Sequence, residues 1–301
     1  MDKLMTDYLT DEKVLISSER ALRPHHYKGA FTTAENHDDC PFCPDNKNKT
    51  PGDILFSDDM EIRVIPNKYP AIKPPTGYHD VIIDTKKHDE KLYEFTPKHM
   101  NKLFSIMQKR AKELYAMEHI KYIQIFKNDG ISSGASITHS HWQIIAMDFI
   151  PYRQETIHSN FEKYFSDHNL RYMDYVYSLK DYIIYENENA FVFCPEASPY
   201  GYYTNIAFKN SHNPFEGLNE KELYSLSDAL LKTMKAYNKT FGDLSYNIMF
   251  QMAPKGKYNA SSFYMGIVPR LGTFAGFELA TGCYINHTPP LEGAEKLRGA
   301  I

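Results

Sequence analysis

Asn128-Asp129-Gly130-Ile131-Ser132-Ser133-Gly134-Ala135-Ser136-Ile137-Thr138-His139-Ser140-His141-Trp142-Gln143 joins a loop of glycines and small hydroxyl residues to a β-favouring run with two histidines. Alternate side chains of a strand share a face. His139, His141 and Gln143 then project to one side, while Trp142 and Ile144 pack on the other. The loop can turn several backbone N–H groups inward, which suits a phosphate. A His-x-His alone fits a surface strand or a satisfied pair equally well, and a Gly/Ser loop alone says little. Their adjacency makes the stretch a candidate site.

The flanking pattern organises the chain. Residues 78–84 alternate as a strand leading to His88, and Thr96-Pro97 opens a helix that runs to about Met117, with Met100, Leu103, Met107 and Leu114 at helical spacing. A strand over 122–126, the loop 130–136 and a strand from about 139 to 147 follow. The same order then recurs: a strand at 203–208, His212, a helix capped near Asn219 and running to about Tyr237, a strand at 246–251, a Pro/Gly/Lys loop and a strand at 262–268. His212 lies 124 positions after His88, and the later elements keep an offset of about 123. Chance recurrence of a βαβ-like pattern is the alternative.

An internal repeat of this kind predicts an α+β fold of two fused halves, residues 1–180 and 181–301, each a mainly antiparallel sheet with helices on one face. The stretch 148–180 between them is expected to be irregular. Carried forward by 123, His139 falls on Ser262 and His141 on Tyr264. Chemistry is therefore expected in the first half only.

Composition narrows the function classes. With 301 residues, 42% of them hydrophobic, the chain can bury a large core. A formal charge of −4 offers no broad basic field for nucleic acid or anionic lipid, so local groups must hold any anionic ligand. The start, MDKLMTDYLTDEK, lacks the charge and apolar pattern of a secretory signal, and no stretch approaches the roughly 18 apolar residues of a membrane helix. Four cysteines are too few for a disulfide scaffold. A cytoplasmic setting is expected.

Two of those cysteines form Cys40-Pro-Phe-Cys43, the spacing of a tetrahedral metal site that needs two further N or S ligands. A redox dithiol or two buried cysteines are the alternatives. The redox reading is weakened by the polar loop Pro44-Asp45-Asn46-Lys47-Asn48, where a thioredoxin-like helix would start. His88 and His139 are the best-placed partners; His88 could otherwise be a solvated loop histidine.

Taken together, these pieces resemble the galactose-1-phosphate uridylyltransferase family, a branch of the histidine-triad superfamily that includes nucleotide-sugar phosphorylases. The matching segments span nearly the whole chain: Ser17-Ser18-Glu19-Arg20-Ala21-Leu22-Arg23-Pro24, Cys40-Pro-Phe-Cys43-Pro, Pro66-Asn67-Lys68-Tyr69-Pro70-Ala71, His79-Asp80-Val81-Ile82-Ile83 ending at His88, the stretch from Asn128 to Gln143, and Pro269-Arg270 with Gly276-Phe277-Glu278-Leu279-Ala280-Thr281-Gly282-Cys283-Tyr284-Ile285-Asn286.

The resemblance implies Cys40, Cys43, His88 and His139 as ligands of one structural Zn²⁺, His141 as nucleophile and Gln143 as a hydrogen bond to the phosphoryl group. It implies Arg20 and Arg23 near the phosphates, Gly134 and Ser136 in the phosphate loop, Phe42, Asn67 and Asn128 around base and ribose, and Glu278 against the hexose. The implied activity is double displacement through a nucleotidyl-histidine, moving a uridylyl group between UDP-glucose and a hexose 1-phosphate, as in galactose metabolism. Phosphorolysis of a nucleotide sugar such as ADP-glucose is the near alternative, and a non-catalytic nucleotide-binding protein the distant one. The family also implies a homodimer.

Two departures stand out. The family commonly has Pro between the histidines and a small residue after the second, where this chain has Ser140 and Trp142. If the strand alternation holds, Trp142 faces the core; otherwise its ring intrudes on the phosphate. Many members also carry a second metal in the C-terminal half, but here Gln251, Ser262, Phe263 and Tyr264 stand at those positions, so no second metal is expected.

Overall fold

The computed structural model describes residues 3–17, 37–210, 212–256 and 258–301. In chain order its elements are β1 (Lys3–Thr6), β2 (Lys13–Ile16), β3 (Leu55–Phe56), β4 (Arg63–Pro66), β5 (Gly77–Ile83), α1 (Pro97–Tyr115), β6 (Tyr122–Asp129) and β7 (His141–Met147). They continue with α2 (Tyr152–His168), α3 (Tyr172–Ser178), β8 (Ile183–Glu186), β9 (Ala190–Phe193), β10 (Thr204–Phe208), α4 (Glu220–Phe241), β11 (Tyr246–Gln251), β12 (Tyr264–Pro269), α5 (Gly276–Thr281), β13 (Cys283–Asn286) and α6 (Pro290–Arg298).

Ten strands join in one sheet of order β3-β4-β5-β7-β6-β11-β12-β10-β9-β8, antiparallel throughout. The α+β architecture is thus as expected, with β6 and β11 as the central seam. Ile125 faces Ile144 across β6 and β7, and Ile248 faces Ile267 across β11 and β12, each 123 positions later. Likewise Asp80 stands opposite Ile144, and Thr204, 124 positions on, opposite Ile267. A one-residue slip would send every side chain to the wrong face, so this shared register carries the same inward and outward pattern into both parts of the sheet.

One face is covered by α1 and α4. Thr96 caps α1 by accepting the His99 N–H at 3.1 Å, and Pro97 suits the first turn because no intrahelical partner is lost there. The buried stripe Met100, Leu103, Phe104, Met107, Ala111 and Leu114 lies on the sheet with Leu223, Leu226, Leu230 and Met234 of α4. Trp142 belongs to this core, its ring 6.5 Å from Phe104 and 5.8 Å from Phe250 between centroids. Each such aliphatic or aromatic side chain contributes roughly 1.5–3 kcal/mol on burial.

The stretch 148–180 departs from expectation, because it holds the helices α2 and α3. Their apolar positions are sparse: Ile157, Phe161 and Tyr164 in α2, Met173 and Val176 in α3, interleaved with the buried polar Gln154 and His158. Local periodicity is weak, and packing decides the outcome. These helices lie on the opposite face of the sheet from α1 and α4, against Phe191, Phe193, Ala207, Tyr264 and Leu9. A small sheet of β1, β2 and β13 flanks them.

His158 fastens α2 from within. Its Nε2–H donates to the Met252 carbonyl at 2.8 Å, and Nδ1 accepts the Ser261 hydroxyl at 2.7 Å. Burial pushes its pKa from 6.5 down to about 4. The folded protein therefore holds the neutral ring, and the stability this contributes is complete above pH 6.5 and lost as the pH falls toward 4. Denaturant midpoints measured between those values should decline with acid more steeply in the wild type than in His158→Gln. Parallel declines would contradict this assignment.

Candidate active site

The site is built on β7, the segment before it and the loop from Gly130. Gly130 sits at φ +78° and Gly134 at φ +85°, a region that L side chains disfavour. A Cβ on Gly130 would also lie 2.2 Å from the Ser245 Oγ, so position 130 excludes a side chain twice over. Ser245 accepts the Ser132 N–H at 3.3 Å, the Asn247 amide donates to the Ser133 carbonyl at 3.0 Å, and Arg270 Nε donates to the Ser132 carbonyl at 3.1 Å. Residues from the second part of the chain thus brace the loop that carries Gly134 and the exposed Ser136.

Cys40, Cys43, His88 and His139 converge, with their ligand atoms all within 4.8 Å of one another. Cys40 Sγ and Cys43 Sγ each lie 3.6 Å from His139 Nδ1, and Cys43 Sγ lies 3.3 Å from His88 Nδ1. A tetrahedral ion with S and N bonds of roughly 2.3 and 2.0 Å separates such ligands by about 3.5 Å, so the four side chains fit one. His139 Nε2–H donates to the Thr85 carbonyl at 2.8 Å, which leaves Nδ1 facing the cluster. Burial, and after it the neighbouring Cys40, push the Cys43 thiol up to about 11. A cation between the sulfurs reverses that cost by favouring thiolates. These residues can hold a metal ion.

His141 is buried beside this cluster. Its Nδ1–H donates to the His139 carbonyl at 2.8 Å, and the Phe42 ring packs edge-on at 5.2 Å. Burial first, and Lys127 second, lower its pKa to about 4, so the ring is neutral near pH 7. Gln143, two residues along the same face, accepts at Oε1 from His79 Nε2–H at 2.9 Å. The His79 tautomer follows from the Ala71 N–H, which donates to Nδ1 at 3.0 Å. Gln143 is thereby oriented with its amide N–H groups as the remaining donors. Asn67 Nδ2 lies 3.2 Å from the same His79 nitrogen.

Behind the strand lies a charged network without a counterpart in the sequence reading. Lys127 and Asp84 are fully buried, Nζ to Oδ2 3.2 Å. The same Oδ2 accepts the Ser140 hydroxyl and the Trp142 indole N–H, each at 2.9 Å. Lys127 also donates to Ser140 Oγ at 2.7 Å and to the His141 carbonyl at 3.2 Å. Ser140 and Trp142 are therefore tied to the core side, and the Trp142 ring does not enter the face that carries His141. A signal for this was present: Lys127 occupies the core-facing phase of Ile123 and Ile125 in β6, and a lysine there needs a buried partner.

Other expected residues are distributed less simply. Phe42 touches both His139 and His141. Asn128 Oδ1 accepts from Asn247 at 2.8 Å, so that oxygen is engaged across the central seam. Glu278 is half-buried, caps α5 by accepting the Ala275 N–H at 2.9 Å, and lines a cavity with Tyr200 and Phe274 that does not include His141 or Gln143. Arg20 and Arg23 lie outside the described residues. In the second part of the chain, His212 Nδ1 pairs with Ser262 Oγ at 3.1 Å, and its Nε2 lies 3.7 Å from Asp174.

Substituting Asp84 with Asn should cost about 3 kcal/mol, because Lys127 stays buried with only the more distant Asp129, at 3.9 Å, as counter-charge. Asp84→Leu combined with Lys127→Met should recover a large part of that loss in denaturant unfolding. A cost near zero for Asp84→Asn would contradict the network.

Known proteins resemble the chain in sequence and in fold. Residues 27–150 match a family described as "Domain of unknown function (DUF4931) N-terminal domain". The chain is 28% identical to an ADP-glucose phosphorylase of Arabidopsis thaliana, over 98% of this chain and 92% of that protein. It is 25% identical to a galactose-1-phosphate uridylyltransferase of Thermotoga maritima, over 99% and 98% of the two chains. Its fold matches the crystal structure of the Arabidopsis ADP-glucose phosphorylase with bound ADP-glucose at a TM-score of 0.91, with 26% identity and 99% of each chain covered.

Proposed function

We infer that this chain, a homologue of the galactose-1-phosphate uridylyltransferases over nearly its whole length, is a nucleotidyltransferase that acts on nucleotide sugars with His141 as nucleophile. The single observation that carries the assignment of His141 is its hydrogen bond. With Nδ1–H donated to the His139 carbonyl, the lone pair sits on Nε2 of a neutral ring.

The reaction runs in two displacements. Nε2 attacks the α-phosphorus of the nucleotide sugar, a P–N bond forms, and the bond to the bridging oxygen breaks, its electron pair leaving with the sugar 1-phosphate. An acceptor phosphate oxygen then attacks the same phosphorus, and the P–N electron pair returns to His141. Gln143, held by His79, donates an amide N–H to the phosphoryl oxygens. The amides of the loop at Gly134 and Ser136, with Arg20 and Arg23, stabilise the charge as it shifts. Phe42, Asn67 and Asn128 surround the nucleoside.

Two thiolates and two imidazoles suit Zn²⁺, held by Cys40, Cys43, His88 and His139. Four protein ligands leave no open position for water, so the ion, when bound, serves as a structural tether for the segment that aims His141. The chain is read as two histidine-triad-like halves, 1–180 catalytic and 181–301 without a metal. We further place it in the cytoplasm as a homodimer, with Glu278 contacting the hexose in a pocket completed by the second copy. Among the described residues no helix is long and apolar enough to cross a membrane.

Uridylyl transfer between UDP-glucose and a hexose 1-phosphate is one form of this activity. Phosphorolysis of ADP-glucose is the other, and the likeness to the Arabidopsis enzyme favours it. Intact-mass measurement after incubation with UDP-glucose or ADP-glucose should reveal a nucleoside-monophosphate adduct. That adduct should vanish in His141→Ala, with turnover down at least about a thousandfold. The donor that yields the adduct identifies the base, and a chase with inorganic phosphate or galactose 1-phosphate identifies the acceptor. If no donor produces an adduct or releases sugar phosphate, the enzyme reading fails.

Metal analysis of the purified chain should find about one zinc per chain, lost in Cys43→Ser together with several degrees of thermal stability. Two ions per chain would mean that the second half holds a metal after all.

A further inference from the structure

The sheet register places Tyr264 where the first part has His141, Gly266 where it has Gln143, and Tyr203 where it has His79. The substitutions are coordinated. A Cβ on Gly266 would lie 2.5 Å from the Tyr203 hydroxyl, so the missing side chain makes room for the larger ring. The outcome is a cavity of about 220 Å³ on the face opposite α1 and α4, roofed by α2, α3 and the β1–β2 hairpin.

Two amide oxygens in the lining of this cavity have no hydrogen-bond partner among the described residues: Asn205 Oδ1 and Gln251 Oε1. Both side chains are at least nine-tenths buried, at 6% and 9% exposure. Leaving a buried acceptor unpaired is costly, and a native fold seldom keeps two in one cavity without something to fill them. The charged lining is already committed. Arg153 is paired with Glu12, and Asp7 accepts from the Thr10 N–H and hydroxyl at 2.8 and 2.9 Å. With two carboxylates against one engaged guanidinium, and with no glycine loop in the lining, the cavity is unsuited to a phosphate. It is not a faded nucleotide site.

We propose that this cavity is a second ligand site, on the same face of the sheet as His141 but lined by neither His141 nor Gln143, for a small uncharged molecule rich in hydroxyl groups, of the size and chemistry of a single sugar or polyol. Hydroxyl protons satisfy Asn205 and Gln251, and the tyrosine rings Tyr203 and Tyr264 offer flat faces to the ligand's C–H edges. The site does not depend on the nucleotidyltransferase assignment, since Asn205, Gln251, Tyr203 and Tyr264 take no part in that machinery and only the rim residues Pro199 and Tyr200 also border the Glu278 cavity.

D-glucose is the probe. Calorimetric titration of the full chain should show saturable binding that persists in His141→Ala and weakens about tenfold in Gln251→Met and in Asn205→Leu. Crystals grown with D-glucose should hold it against Gln251. Without ligand, Gln251→Met should unfold at the wild-type temperature or above, because it removes an unpaired buried amide. The proposal is overturned by an absence of saturable binding, by binding that is unchanged in both cavity variants, or by a marked loss of stability in Gln251→Met, which would make that amide a structural partner of fixed water. Nucleotidyl-adduct formation in the same variants reports on the other site independently.

Discussion

A carboxylate with no access to water, Asp84, sets the phase of the strand that carries His141 and Gln143. Its Oδ2 gathers the Lys127 ammonium, the Ser140 hydroxyl and the Trp142 indole on the core side of β7. Because a strand alternates, anchoring 140 and 142 inward turns 139, 141 and 143 outward together. Burying an ion pair gains little net stability over an apolar filling of equal shape. Its effect here is on geometry: a slipped strand would strand a lysine and an aspartate without partners, so alternative registers are disfavoured by the cost of two unpaired buried charges.

From that anchor the site is assembled by contacts between distant segments. His139 closes the four-ligand cluster with Cys40 and Cys43, about a hundred residues earlier, and His88 completes it from beyond β5. The His139 carbonyl in turn orients the imidazole of His141. The cluster and the His141 ring are thus coupled through one backbone carbonyl, and Gln143 is positioned from the next strand by His79. The phosphate-type loop depends on Ser245, Asn247 and Arg270 across the central seam. The second part of the chain is therefore required for the shape of the part that carries His141.

The two ends of the sheet share one register and differ in their outward residues. Ile125 with Ile144 and Ile248 with Ile267 occupy equivalent pairs. The outward residues changed, histidine and glutamine giving way to tyrosine and glycine. Helices α2 and α3 cover the altered face, leaving the small cavity with its unpaired amides. In the position that matches His88 of the four-ligand cluster, His212 meets a serine and an aspartate instead of thiolates.

Much of this was legible from the residues alone. The repeat, the strand and helix order, the grouping of Cys40, Cys43, His88 and His139, and the outward face of His141 follow from spacing, alternation and likeness to a known family, because these are short-period or motif-level signals. The helices within 148–180 were not legible, since their apolar stripe is too sparse to be periodic and only packing against Phe191, Phe193 and Tyr264 stabilises them. Nor were the roles of Ser140, Trp142 and His79. Their meaning lies in partners brought close by sheet pairing: Asp84 to the first two, and Gln143, 64 positions away, to the third. Sequence by itself determined which chemical groups exist and which face of a strand they share. The tertiary structure decided which of them touch, because a hydrogen bond reaches only about 3 Å and the pairing of strands alone brings such groups within it.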